Sequence, residues 1–137
     1  MSNKIIHSIN HRVIYGDTDN MGVVYYANYL RWFEIGRNEL MRSIGLPYSE
    51  FERQGYIMPV AEVSCKYKSP CIFDEIITIE SHLQVPFKVA IIFNHKIFSQ
   101  DKKELKAEGY TKHAILNTDG KIVRPPKFLK QIIDEKL

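Results

Sequence analysis

Only two cysteines, Cys65 and Cys71, occur among the 137 residues, too few for a disulfide framework. Read as one extended stretch, the two are about 20 Å apart, beyond disulfide reach, and a reducing compartment fits. Long apolar runs are also missing, and none approaches the roughly 18–20 residues of a membrane-spanning helix. The opening MSNKIIHSINHRV contains neither the apolar core of about 7–15 residues nor the small-residue cleavage site of a secretory signal. The expected location is therefore the cytoplasm. Charge of one sign is scarce: 19 Lys and Arg against 16 Asp and Glu leave a formal +3. That is too little for a nucleic-acid partner, yet compatible with a phosphate-bearing small molecule. No G-x-S-x-G nucleophile elbow occurs and no Gly-rich phosphate loop. Ser43, Ser49, Ser64 and Ser69 have no activating local setting, and Cys65 reads as a core-facing, inert thiol. Of the histidines (His7, His11, His82, His95 and His113), only His7 and His11 are near one another, with no third ligand, so no metal site is expected.

What the chain does have is apolar content of 45% beside 26% charged residues, enough for a core in one domain over residues 1–137. HRVIYGD, His11 to Asp17, reads as a short strand. From Tyr26 the apolar period becomes helical: Tyr26, Tyr29, Leu30, Phe33, Leu40 and Ile44 share a face, giving an amphipathic helix of about 17 residues that stops at Gly45. Gly36 within it costs about 1 kcal/mol relative to Ala, and a closely packed neighbour would explain it. YSEFERQG predicts a second, short helix capped by Ser49, with Glu52 at the capping-box position and Gly55 as its stop.

Beyond Gly55 the period is two. Ile57, Ala61, Val63, Cys65 and Tyr67 form one face of a strand; Ile77, Ile79, Leu83 and Val85 form another; Phe87, Val89, Ile91, Phe93 and Ile97 a third; ELKAEGYTKHAIL is the last. A final helix follows RPP, with Phe128, Leu129, Ile132 and Ile133 inward. The order is strand, long helix, four strands, with short connections that favour antiparallel pairing. An α+β arrangement results: either a curved sheet wrapped around the long helix, or a flatter sandwich with the helix lying across it.

The chemistry concentrates in YGDTDNMGVVYYANYLRWFE, Tyr15 to Glu34. Asp17 and Asp19 precede the helix start, where free main-chain N–H groups and the positive end of the helix dipole point outward. Such an end can hold a developing oxyanion, and a nearby carboxylate can serve as nucleophile or general base. Gly22 allows a close backbone approach to a ligand. Acidic residues ahead of helices also act as plain caps and Asx-turns, and spacing alone does not separate the two.

The stretch resembles the opening motif of the hotdog-fold acyl-CoA thioesterases, in the 4-hydroxybenzoyl-CoA thioesterase class that includes the Tol-Pal-associated enzymes. The resemblance continues through IGLPY and MPVAEVSCKYKSPCIFDEIITIE, and more loosely to RPPKFL. It implies a five-stranded antiparallel sheet wrapped around one long central helix. It implies hydrolysis of acyl-CoA thioesters, with Asp19 as nucleophile or general base and the main-chain N–H of Tyr26 as oxyanion donor. Asp17 then holds the loop. Gly22, Val23, Val24, Tyr25, Asn28, Tyr29 and Met58 are the implied substrate-binding residues, with Lys88 meeting the CoA phosphates. Many Tol-Pal-associated relatives carry His where Tyr26 stands; Tyr matches the hydroxybenzoyl enzymes. Coenzyme A enters as part of the substrate, and no separate cofactor is implied. Protomers of this family pair edge to edge as homodimers or homotetramers, with sites at the subunit interface. The rival readings are an acyl-carrier-protein thioesterase and a non-catalytic acyl-CoA-binding scaffold.

Overall fold

A computed structural model describes residues 4–137. Its five strands are β1 (Lys4–Arg12), β2 (Val60–Tyr67), β3 (Ile76–Gln84), β4 (Ile91–Ser99) and β5 (Leu105–His113), and its helices are α1 (Asn28–Ser43), α2 (Tyr48–Arg53) and α3 (Lys127–Lys136). The strands form one sheet in the order β1-β3-β4-β5-β2, antiparallel at every pairing. The helix α1 packs against β1, β3 and β4. This is the hotdog arrangement, with α1 as the central helix.

Several local expectations shift. The first strand lies earlier than HRVIYGD, because the chain leaves the sheet after Arg12 and Tyr15–Asp17 closes a 3-10 turn. The long helix starts at Asn28, behind turns at Tyr26 and Ala27, and ends before Gly45 at φ +87°. The cap of α2 is Pro47 rather than Ser49; proline's fixed φ prepares the chain for a helix without a side-chain acceptor. Phe87 and Val89 fall before β4, because Pro86 has no N–H to add to a ladder. Cys71 lies past the end of β2, and both cysteines are free.

The core divides along α1. Near its N-terminal end, Tyr29, Trp32 and Phe33 pack with Val13, Val24, Cys71, Ile77, Ile79, Ile97 and Ala107. Near its C-terminal end, Leu40, Met41 and Ile44 pack with Phe51, Met58, Leu83, Ile91, Phe93, Leu129 and Ile133. A hydrogen-bonded chain crosses the sheet beneath the helix. Ser81 Oγ meets His95 Nδ1 at 3.2 Å, His95 Nε2 meets Thr111 Oγ1 at 3.1 Å, Thr111 Oγ1 meets His113 Nε2 at 3.0 Å, and His113 Nδ1 reaches the Met58 carbonyl at 2.9 Å. All four side chains are buried. A carbonyl only accepts, so His113 donates from Nδ1 and its Nε2 accepts the Thr111 hydroxyl proton. Thr111 then accepts from His95 Nε2–H, and Ser81 donates to His95 Nδ1. With both rings neutral, every proton in the chain is placed.

Gly36 makes room for this chain. A Cβ there would meet Ser81 Oγ at 2.3 Å and the Ile79 Cγ2 methyl at 2.8 Å. The close neighbour is thus the side-chain layer of β3. Gly36→Ala would gain about 1 kcal/mol in helix propensity, but overpacking typically costs about 1–3 kcal/mol and here also displaces a hydrogen-bonded hydroxyl. We expect a net loss of stability, read as a lower urea midpoint at unchanged m-value; an equal or higher midpoint would contradict the packing.

Candidate active site

Asp17 ties the pre-helix loop together. It is 3% exposed, and its Oδ2 accepts the Ile14 N–H at 3.1 Å and faces His11 Nε2 at 3.4 Å, while Arg31 lies 3.9 Å from its other oxygen. Its main-chain carbonyl accepts the Tyr25 N–H and the Asn28 side-chain amide, each at 2.8 Å. One buried residue therefore fixes both the turn before the loop and the entry to α1.

Asp19 is placed differently. It is half-buried at the head of a tight reversal in which its N–H donates to the Val23 carbonyl at 2.9 Å and its carbonyl accepts Gly22 N–H at 3.1 Å. Its Oδ1 accepts the Met21 N–H at 2.8 Å, an Asx-turn. Among the described residues, its other carboxylate oxygen has no hydrogen-bond or ion-pair partner. The turn holds the carboxylate in a fixed direction and leaves one oxygen available. Gly22 has φ +81° with open space where a Cβ would stand, so the turn's backbone conformation accounts for glycine here.

Beyond the reversal the chain is pinned to the β2–β3 connection. Thr18 bridges Val24, Val23 bridges Ile72, and Val24 N–H donates to the Cys71 carbonyl at 2.8 Å. Val24 is buried, Val23 half-buried and Tyr25 exposed. At the start of α1 no side chain caps the helix, and the N-cap residue is Ala27. Among the described residues, the Tyr26 main-chain N–H has no acceptor. An uncapped helix start carries partial positive charge and free donors.

Aromatic rings fill the space around this point. Tyr29 is buried, tilted against Trp32 at 4.8 Å between centroids and edge-on to Tyr67 at 5.0 Å. The Tyr67 hydroxyl donates to the Tyr26 carbonyl at 3.0 Å. Tyr67 comes from β2, far along the chain, and strand alternation alone gave no sign that it would steady the helix start. Burial pushes the Tyr67 phenol up to about 12 and the Cys71 thiol up to about 11, and it also raises the Cys65 thiol.

The structure thus gathers Asp19, Gly22, Val23, Val24, Tyr25, Tyr26, Asn28 and Tyr29 at the N-terminal end of α1. Met58 and Lys88 are elsewhere in the same protomer. Met58 is buried in the cluster at the opposite end of α1. Lys88 is exposed between β3 and β4, on the connection at the end of β3 remote from Ile76, whereas the loop that carries Asp19 follows Arg12, the β1 partner of Ile76. The surface around Asp19 is strongly apolar: Met21 is 80% exposed, Tyr15 73%, Tyr26 61% and Ile72 54%. Large apolar side chains exposed on one loop and its neighbours are what a binding or association surface presents. No helix among the described residues is long and apolar enough to cross a membrane.

Comparison with known proteins bears on the family and the fold. The model of a thioesterase-like superfamily matches residues 13–133. YneP of Bacillus subtilis (strain 168), provisionally named an acyl-CoA thioesterase, is 30% identical over 122 residues, covering 89% of this chain and 86% of YneP. A crystal structure of a protein of unassigned function from Aquifex aeolicus superposes with a TM-score of 0.86 at 31% identity, covering 93% of this chain and 98% of that one. The DHNA-CoA thioesterase of Staphylococcus aureus superposes with a TM-score of 0.83 at 26% identity, covering 97% of this chain and 90% of that one.

Proposed function

This chain belongs to the thioesterase-like superfamily, and from that premise we propose that it hydrolyses acyl-CoA thioesters to a free acid and coenzyme A. One observation carries the mechanistic part of the reading: the free Tyr26 N–H at an uncapped helix start lies in the same loop-and-helix unit as a carboxylate with an unpartnered oxygen. The thioester carbonyl oxygen would take the Tyr26 N–H, and the helix end would favour the negative charge that develops on it. Asp19 then acts in one of two ways. Its oxygen attacks the carbonyl carbon, coenzyme A thiolate leaves, and water hydrolyses the resulting mixed anhydride. Alternatively Asp19 takes a proton from a water that attacks directly. Either route needs coenzyme A only as part of the substrate.

The apolar rim around Asp19 supports a site completed by a second copy of the chain. An edge-to-edge homodimer, alone or doubled into a tetramer, would cover this rim and the exposed β2 residues Val60, Val63 and Tyr67.

Released thiol from the purified protein, measured across short-chain, long-chain and aryl acyl-CoAs and matched acyl-carrier-protein thioesters, tests the reading. Turnover on at least one acyl-CoA at a kcat/KM above that on the matched carrier-protein substrate is expected. The reverse preference would move the assignment to a carrier-protein thioesterase, and binding without turnover would make the chain a scaffold.

A further inference from the structure

A cleft of about 380 Å³ opens between α1 and the strand pair β2–β5, and its walls include Glu34, Arg37, Tyr48, Met58 and His113. Arg37 is the unusual member. Its side chain is 15% exposed, yet the nearest carboxylate oxygen, on the well-exposed Glu34, lies 3.9 Å away. Among the described residues, its guanidinium has no protein acceptor within hydrogen-bond distance, and its nitrogens keep some contact with solvent. Removal from water lowers the guanidinium's proton affinity, with Glu34 opposing the effect. Its imidazole neighbour His113 is buried and neutral, so it supplies no counter-charge. A guanidinium presents a planar fork of donors that fits a carboxylate through two parallel bonds. The cleft presents such a fork, without a protein carboxylate on it, beside apolar Met58.

Arg37 also stands on the same helix as the proposed oxyanion donor. It is eleven positions beyond Tyr26, about three turns and roughly 16 Å along the axis, and helical side chains lean back toward the N-terminus. We propose that this cleft is a receptor for a carboxylate at the far end of the acyl group, so that the substrates include acyl-CoAs with an ω-carboxylate on a medium-length chain. The inference rests on the thioesterase reading above, which fixes where the carbonyl sits. Glu34 repels such a group only weakly, because its own carboxylate is solvated.

The test compares mono-CoA thioesters of dicarboxylic acids with neutral acyl-CoAs of equal chain length, from about four to twelve carbons. In the wild type, kcat/KM for the ω-carboxyl member should exceed that of its neutral partner by about tenfold at one medium length, and fall below it at the shortest. Arg37→Met should abolish or invert that ratio, and Arg37→Lys, which keeps the charge without the fork, should leave an intermediate ratio. No charge preference at any length in an active wild type would overturn the proposal. So would loss of the oligomer in Arg37→Met and Arg37→Lys alike, since the guanidinium would then be binding a partner's carboxylate. A wild type inactive on every acyl-CoA would instead overturn the thioesterase reading. Should Arg37→Met fail to fold, the wild-type ratio and the lysine variant still decide.

Discussion

Asp19→Asn is expected to retain the fold and to lose turnover by about 10²–10⁴-fold, the usual worth of a positioned proton-transfer or nucleophilic group. Asparagine keeps a carbonyl oxygen for the Met21 N–H, so the Asx-turn that shapes the loop survives. What disappears is the negative oxygen without a partner. The expected signature is a fall in kcat with little change in KM, at an unchanged melting temperature. Near-native kcat would remove Asp19 from the mechanism. Tyr26→Phe serves as the contrast. It keeps the main-chain N–H, and the Tyr67 hydroxyl still finds the same carbonyl, so turnover should stay within a few-fold of wild type. A large loss in a folded Tyr26→Phe protein would assign the phenol a role that the amide alone does not explain. Asp17→Asn should behave differently again, acting on stability because the carboxylate it removes is the buried one.

The second large effect is a loss of stability in mild acid. Burial, with the nearby Arg37 charge adding to it, lowers His95 to about 3. Burial lowers His113 to about 4 against the opposing hydrogen bond to the Met58 carbonyl, and Arg37 again depresses it. In the unfolded chain both rings titrate near 6.5. Below that pH the unfolded state takes up protons that the folded state refuses, so stability falls as pH drops from about 6.5 toward 4. Below about 3 the loss levels off, because the folded state binds the protons too. Between pH 7 and 5.5 each ring should cost about 1 kcal/mol. That is a sizeable share of the roughly 5–15 kcal/mol typical of a domain, in a range where carboxylates scarcely titrate. Urea titrations at pH 7, 6 and 5.5 would measure it, and a flat profile would contradict the buried neutral rings. Nitrogen NMR offers an independent check: His113 should carry its proton on Nδ1 and His95 on Nε2.

Parts of this architecture were legible in the sequence because they depend on local periodicity. Tyr29, Phe33, Leu40 and Ile44 on the buried side of α1, the stop at Gly45 and the inward row Ile77, Ile79 and Leu83 follow from spacing alone, whereas Tyr26 and Leu30, placed on the same face by their spacing, are exposed. The strand at the N-terminus did not, because β1 turns His7 and His11 to the same side as Ile5 and Ile9, so its alternation looks polar on both faces. Val13 and Ile14 look extended, but Asp17 folds the chain back on Ile14. At the site, D-x-D followed by glycine and aromatics was readable as a motif, while different roles for its two acids came only with the family resemblance that the motif carries. The contributions of Tyr67, Arg37 and the Ser81-to-His113 chain were not, because each depends on which strands become neighbours. The order β1-β3-β4-β5-β2 is set by pairings between distant segments.

The two thiols beside the aromatic cluster bear on the product. Coenzyme A is released as a sulfhydryl compound, and a deprotonated cysteine nearby would be open to mixed-disulfide capture whenever oxidant is present. Cys71 is held protonated with its sulfur buried, and Cys65 is shifted the same way. Exchange requires the anion. The aromatic packing that steadies the helix start would therefore also shield the protein from being capped by the coenzyme A that the proposed reaction sets free.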